Sequence, residues 1–181
     1  MSGKQPKLSK DDAVFILERI DNWINNCDSK ASIIIGFDGV ILTLILTSNF
    51  YNFISNISCK VTCCGILFLI FVIVSIFIFG MFKLVQVIIP QTCAKTFKEI
   101  DLKEDSLIYF KSISQSETFL NYKARLSLYD KKEQLNDVLS QIYINSKICT
   151  QKFDNLKLGI QLSLLGIIGF LVIFVIGKLL Y

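Results

Sequence analysis

The chain has 181 residues, of which 52% are hydrophobic and 19% charged, with 15 Phe, 2 Pro and a mean hydropathy of +0.55. A soluble domain carries about 25% charged residues, so a disordered, collagen-like or ordinary cytosolic chain is excluded. Histidine is absent and the net charge is a mild +4, which removes the commonest general base and metal ligand and gives no footprint for nucleic acid.

Residues 1–10 read as a frayed tail. From Asp11 the pattern is helical, with Ala13, Ile16, Leu17, Ile20, Ile24, Cys27 and Ala31 recurring every three or four positions. No Pro or Gly intervenes between there and Gly36, so this amphipathic helix is expected to run straight into the first apolar stretch. A bilayer crossing needs about 20 mostly apolar residues. Three stretches qualify: 31–50, 61–82 and 158–181. Any one of them alone fits a buried core helix. Three in a 20.6 kDa chain leave too little polar surface to cover them. The first begins too late and is too long for the apolar region of a cleaved signal peptide, so it is expected to remain as an anchor.

Lys and Arg set the orientation. Residues 1–30 hold five, residues 83–157 hold twelve, and Lys60 and Lys178 are the remaining two. The expected organisation is a cytoplasmic amphipathic helix (1–30), a first transmembrane helix (31–50), an outer loop (51–60) and a second transmembrane helix (61–82). A cytoplasmic helical domain (83–157) and a third transmembrane helix (158–181) follow, with the C-terminus outside. Lys178 is placed to snorkel to the outer surface.

In the middle segment, Pro90 ends or kinks the second helix. Residues 91–100 read as a short helix, and 106–113 (SLIYFKSI) fit a strand or a helix. Ser114 with Glu117, and Asp130 with Glu133, have capping-box spacing, so a helix is expected to start near each. The second carries Leu135, Val138, Leu139, Ile142, Cys149, Phe153 and Leu156 at helical spacing and meets no breaker before the last span. At ~1.5 Å per residue it makes a single helix of roughly 75 Å. The fold class is therefore an all-α membrane protein with three spans and a helical cytoplasmic head, two spans continuing long head helices.

The six cysteines, at 27, 59, 63, 64, 93 and 149, contain no CxxC pair. They read as small buried apolar residues, with a disulfide or redox switch as the alternative. No metal site, cofactor site or catalytic constellation is evident, so an enzyme is not expected. Asp38 is an ionisable residue inside a span, which marks a functional site by default. Gly36 and Gly39 flank it and permit another helix to approach. Asp38 is read as hydrogen-bonded and protonated within a bundle, as lining a pore or oligomer interface, or as solvated near the interface. Residues 21–32 crowd Asp, Asn and Ser around Trp23, which otherwise reads as an interfacial anchor.

From Ile20, the run IDNWINNCDSKASIIIGFDGVILTLIL resembles the membrane-entering segment of the Pycsar membrane effectors, the PycTM family. Their pattern places an Asp-Ser-Lys-Ala core directly before a span; here it is Asp28, Ser29, Lys30 and Ala31. Ile108-Tyr109-Phe110, Gln141-Ile142-Tyr143, and Lys152-Phe153 with Leu156 are looser matches. Cys27 stands where a small alanine is more usual, and Asp38 intrudes into a span that is commonly uncharged. The resemblance implies bacterial antiphage defence. A partner cyclase makes cyclic CMP or cyclic UMP on infection, the nucleotide activates the effector, and the effector impairs the inner membrane in abortive infection.

A cyclic mononucleotide needs a cation or backbone donors for its phosphate, hydrogen-bonding groups for its base and an aromatic face for stacking. Lys30, Arg125 and Lys152 are the candidate cations, and Trp23, Tyr109 and Phe110 the candidate stacking groups. Asn22, Asn26, Asp28 and Ser29 are candidates to read the base edge. Against these stand plainer roles: Arg125 and Lys152 solvated or snorkelling, Phe110 in the core, and Asp28 and Lys30 in a helix-capping or inter-helix ion pair. One subunit has too few spans to enclose a pore, so a homo-oligomer is expected. The rival functions are a constitutive holin-like channel without a nucleotide ligand, and a docking protein for a cytosolic partner.

Overall fold

The computed structural model describes residues 8–47, 61–90 and 106–180, with side chains described for all of these except 61–64 and 177–180. Cys59, Cys63, Cys64, Cys93, Lys178 and the helix expected over 91–100 lie outside that description. The elements are α1 (Lys10–Thr47), α2 (Val61–Ile88), α3 (Phe110–Ser114), α4 (Phe119–Ser127) and α5 (Lys131–Leu180). Among the described residues all regular structure is helical, and α1, α2 and α5 are each long and apolar enough to cross a membrane. The chain is an all-α membrane protein.

Helix α1 starts at a reciprocal cap. Ser9 Oγ accepts from the Asp12 backbone N–H at 3.1 Å, while the Asp12 carboxylate accepts from Ser9 N at 3.2 Å and Ser9 Oγ at 2.7 Å. Those donors hold the Asp12 carboxyl below its ordinary range. Along α1 the positions Ala13, Leu17, Ile20, Ile24, Cys27, Ala31, Ile34, Asp38, Ile41 and Ile45 alternate steps of four and three, and every one is buried or half-buried. This is a heptad seam, and it carries the helix unbroken from its polar half into its apolar half. Ile16, grouped with that face by periodicity, is exposed instead.

Helix α5 starts where expected, with Asp130 Oδ1 accepting from Glu133 N at 2.7 Å. Its 50 residues span about 75 Å. The Ser114–Glu117 start is not found. Ser114 is the last residue of α3, already helical, and donates to the Lys111 carbonyl at 2.8 Å. A cap needs extended backbone. Thr118 has it, and its hydroxyl accepts from Asn121 N at 3.2 Å to open α4. The ambiguous stretch before it is a turn and then a helix. Ser106 Oγ accepts from Ile108 N at 3.3 Å and Tyr109 N at 3.0 Å, leading into α3.

The chain divides into two compact units: Met1–Asn25 with Pro90–Gln151, and Asn26–Ile89 with Lys152–Tyr181. In the first unit α1 and α5 run parallel, joined by Lys10 Nζ to Gln134 Oε1 at 2.7 Å and Asn145 Nδ2 to Asp21 Oδ1 at 2.8 Å. Fully buried Asp137 accepts from Leu107 N at 2.9 Å and from the Tyr129 hydroxyl. It thereby ties the turn before α3 to α5. Burial, and the hydrogen bond to Asp137 after it, push the Tyr129 phenol above its ordinary pKa.

In the second unit α2 lies antiparallel on α5. Leu84 sits over Gly159, Gly80 over Leu162 and Ser163, Phe77 over Gly166 and Ile73 over Gly169. A Cβ at Gly80 would fall 2.7 Å from the Ser163 backbone nitrogen, so the contact requires glycine. Cys27, Ala31, Leu84, Val87 and Leu156 form the buried cluster that joins all three helices.

Candidate functional site

In the second unit Lys152 lies on the buried seam of α5 and is 3% exposed. Its Nζ lies 2.5 Å from Asp28 Oδ1 of α1 and donates to the Val87 carbonyl of α2. Val87 belongs to the last turn of α2, where carbonyls have no partner within the helix. That turn has no basic residue of its own, so the ammonium also supplies the positive charge that the C-terminal dipole favours. One side chain thus fastens α1, α2 and α5 together.

The neighbours of Asp28 behave differently. Lys30 is exposed, and Asp28 pairs with Lys152 rather than with Lys30. Residues two apart on a helix do not face each other. Lys152 is correspondingly buried rather than solvated. Asn26 and Ser29 are also exposed.

Farther along the α1 seam, Asp38 is 2% exposed and accepts a hydrogen bond from the Ser163 hydroxyl of α5. That hydrogen bond joins α1 to α5 within the chain. Gly36 and Gly39 have nothing within 4 Å of where a Cβ would stand. Close helix approach within the chain is made at Gly80, Gly159, Gly166 and Gly169 instead. Sequence reading passed over these. The available signal was Gly159, Ser163 and Gly166 recurring by four and three along the last span. A cleft of about 330 Å³ opens between Ile41, Leu44, Ile45, Ile167, Phe170, Leu171 and Phe174, and its lining is wholly apolar.

The first unit holds the remaining candidates. Tyr109 and Phe110 present adjacent tilted rings with centroids 4.8 Å apart, and Phe110 is 66% exposed rather than in the core. Arg125 is exposed in the last turn of α4. Trp23 is half-exposed beneath Arg19, a residue not singled out from the sequence, whose guanidinium carbon is 5.4 Å from the ring centroid. Among the described residues no group of three or more Cys, Asp or Glu is placed to hold a metal. Cys27 and Cys149 are buried.

The profile of the Pycsar effector protein domain, PycTM, matches residues 12–178, running from the first turn of α1 almost to the end of α5. This chain belongs to the Pycsar effector protein family. The Pycsar effector protein GmPycTM of Gulbenkiania mobilis is 31% identical over 184 residues, covering 91% of this chain and 90% of that protein. No solved structure matches. Membership makes the chain a membrane effector of antiviral defence.

In this Pycsar effector the Asp-Ser-Lys-Ala run divides its residues between two faces of α1. Asp28 binds Lys152 and Ala31 packs into the three-helix cluster, while Ser29 and Lys30 face outward. The match also extends beyond the motifs between Ile20 and Leu156 on which the resemblance rested.

Proposed function

We propose that this effector binds cyclic CMP or cyclic UMP made by a partner pyrimidine cyclase and then impairs the bacterial inner membrane, producing abortive infection. It works by binding rather than catalysis and needs no cofactor. The N-terminus and middle segment face the cytoplasm, and the active form is a homo-oligomer. The observation that carries this reading is the family match over residues 12–178, on a chain with three helices long and apolar enough to span a bilayer.

The mechanism we favour is a population shift, in which the nucleotide binds the active packing better than the resting one. Lys152, Asp28 and the Val87 carbonyl hold the resting packing of the membrane unit. A ligand phosphate engaging Lys152 has to displace Asp28, and doing so frees α1 from α5 and α2. In that unit Asn26, Ser29 and Lys30 are the further candidate ligand contacts, and Trp23, Tyr109, Phe110 and Arg125 are the candidates of the other unit.

Dye leakage from liposomes holding the purified protein tests this, with cyclic CMP, cyclic UMP, cyclic AMP or no nucleotide added. Leakage with one pyrimidine nucleotide alone is the expected result. Leakage in every sample would make the protein a constitutive channel. Leakage in none, with insertion verified, would also overturn the proposal.

A further inference from the structure

Phe15, Arg19 and Trp23 follow one another at four-residue steps on α1 and therefore share one face. Phe15 is 58% and Trp23 49% exposed. The Arg19 guanidinium carbon lies between them, 5.9 Å from the Phe15 centroid and 5.4 Å from the Trp23 centroid. Large aromatic surface is thus left in solvent and organised around a cation.

We propose that the Phe15–Arg19–Trp23 ladder is a preordered platform for a cyclic mononucleotide, with Arg19 binding the phosphate and Trp23 stacking on the pyrimidine. This rests on the nucleotide-gated reading above and adds residues that it lacked. Three features support the assignment. Arg19 is an exposed cation in no ion pair among the described residues; nearby Asp12 is engaged by Ser9, and Asp21 by Asn145. Its planar fork matches phosphate oxygens two at a time. The flanking rings already confine it, so less side-chain freedom is lost when the ligand docks.

The base has its own partners on the same face. The Trp23 indole offers a broad stacking surface, and base–aromatic stacking tolerates either pyrimidine. Asn22 is exposed one turn from Arg19, and its amide carries both a donor and an acceptor for a base edge. By contrast Lys152 is buried against Asp28.

Trp23 is the chain's single tryptophan, so its fluorescence reads this face alone. Full-length protein in detergent is titrated with cyclic CMP, cyclic UMP, cyclic AMP and inorganic phosphate, with equilibrium dialysis of labelled nucleotide in parallel. The expected result is a saturable fluorescence change with one pyrimidine nucleotide. Binding should weaken at least tenfold in Arg19→Lys and further in Arg19→Ala, with circular dichroism and elution volume unchanged. Trp23→Phe, read by dialysis, should weaken it several-fold.

If wild type and Arg19→Ala bind the nucleotide equally, the ladder assignment falls while the nucleotide-gated reading stands. If wild type binds no cyclic nucleotide, both fall. If Arg19→Ala changes the oligomeric state and leaves binding intact, the ladder is a contact between copies and the assignment is overturned.

Discussion

Asp28 on α1 and Lys152 on α5 form an ion pair at 2.5 Å in which the lysine side chain is 4% exposed and the carboxylate side chain 33%. The lysine holds the Val87 carbonyl as well, so three helices meet at one ammonium. Such a pair contributes more to the choice of packing than to net stability, because desolvation offsets much of the attraction.

Removing one partner leaves the other charge uncompensated. Asp28→Asn and Lys152→Met should each lower stability by roughly 2–4 kcal/mol, toward the low end of the buried-pair range because Asp28 is partly solvated. The double variant Asp28→Leu with Lys152→Met should recover much of that loss. Thermal unfolding in detergent gives both numbers. Single variants should also leak dye without nucleotide; tight liposomes with lowered stability would show that the pair does not hold the resting state.

Ser163→Ala takes the donor from buried Asp38. An unmatched buried polar group costs about 1–3 kcal/mol, so the melting temperature should fall while nucleotide binding is unchanged. Asp38→Asn should alter permeabilisation and leave the nucleotide Kd intact. Equal leakage from that variant and wild type would sink a pore-lining role for Asp38 in the active state.

Gly80→Ala places a methyl group 2.7 Å from the Ser163 backbone, and Gly166→Ala places one 2.7 Å from Phe77 Cβ. Overpacking of this kind costs typically 1–3 kcal/mol. Gly36→Ala and Gly39→Ala meet nothing within 4 Å, so stability should hold or rise slightly, since alanine is the better helix former. Loss of oligomer on crosslinking with these two variants, at unchanged melting temperature, would assign that face to a contact between copies.

The Tyr129 phenol has its pKa raised, chiefly by burial. Its contribution to folding is therefore complete below the ordinary tyrosine value near pH 10 and is lost as pH rises above it. Tyr129→Phe should flatten that alkaline fall. It also strips a donor from Asp137, whose Oδ1 already lacks a hydrogen bond, and should cost about 1–3 kcal/mol at neutral pH. Unfolding followed from pH 7 to 11 checks both.

Much of the architecture was legible in the residues alone. Three apolar stretches, the heptad recurrence from Ala13 to Ala31, the Asp130–Glu133 cap and the absence of any Pro after Pro90 are local features. Each acts within a few turns of the chain, so each reads directly as a helix, a start or a continuation. Asp38 stood out for the same reason, as an acid inside an apolar run. The Ser114 start failed because a cap depends on backbone conformation, and Ser114 is already taken into α3.

Partnership was decided only in three dimensions. Asp28 chooses Lys152 over Lys30 two residues away, Asp38 meets Ser163, and Gly80 and Gly166 rather than Gly36 and Gly39 admit a neighbouring helix. Each choice depends on which positions two helices bring level. That register is set by packing along whole seams between segments that lie far apart in the chain, and no short window of residues contains it.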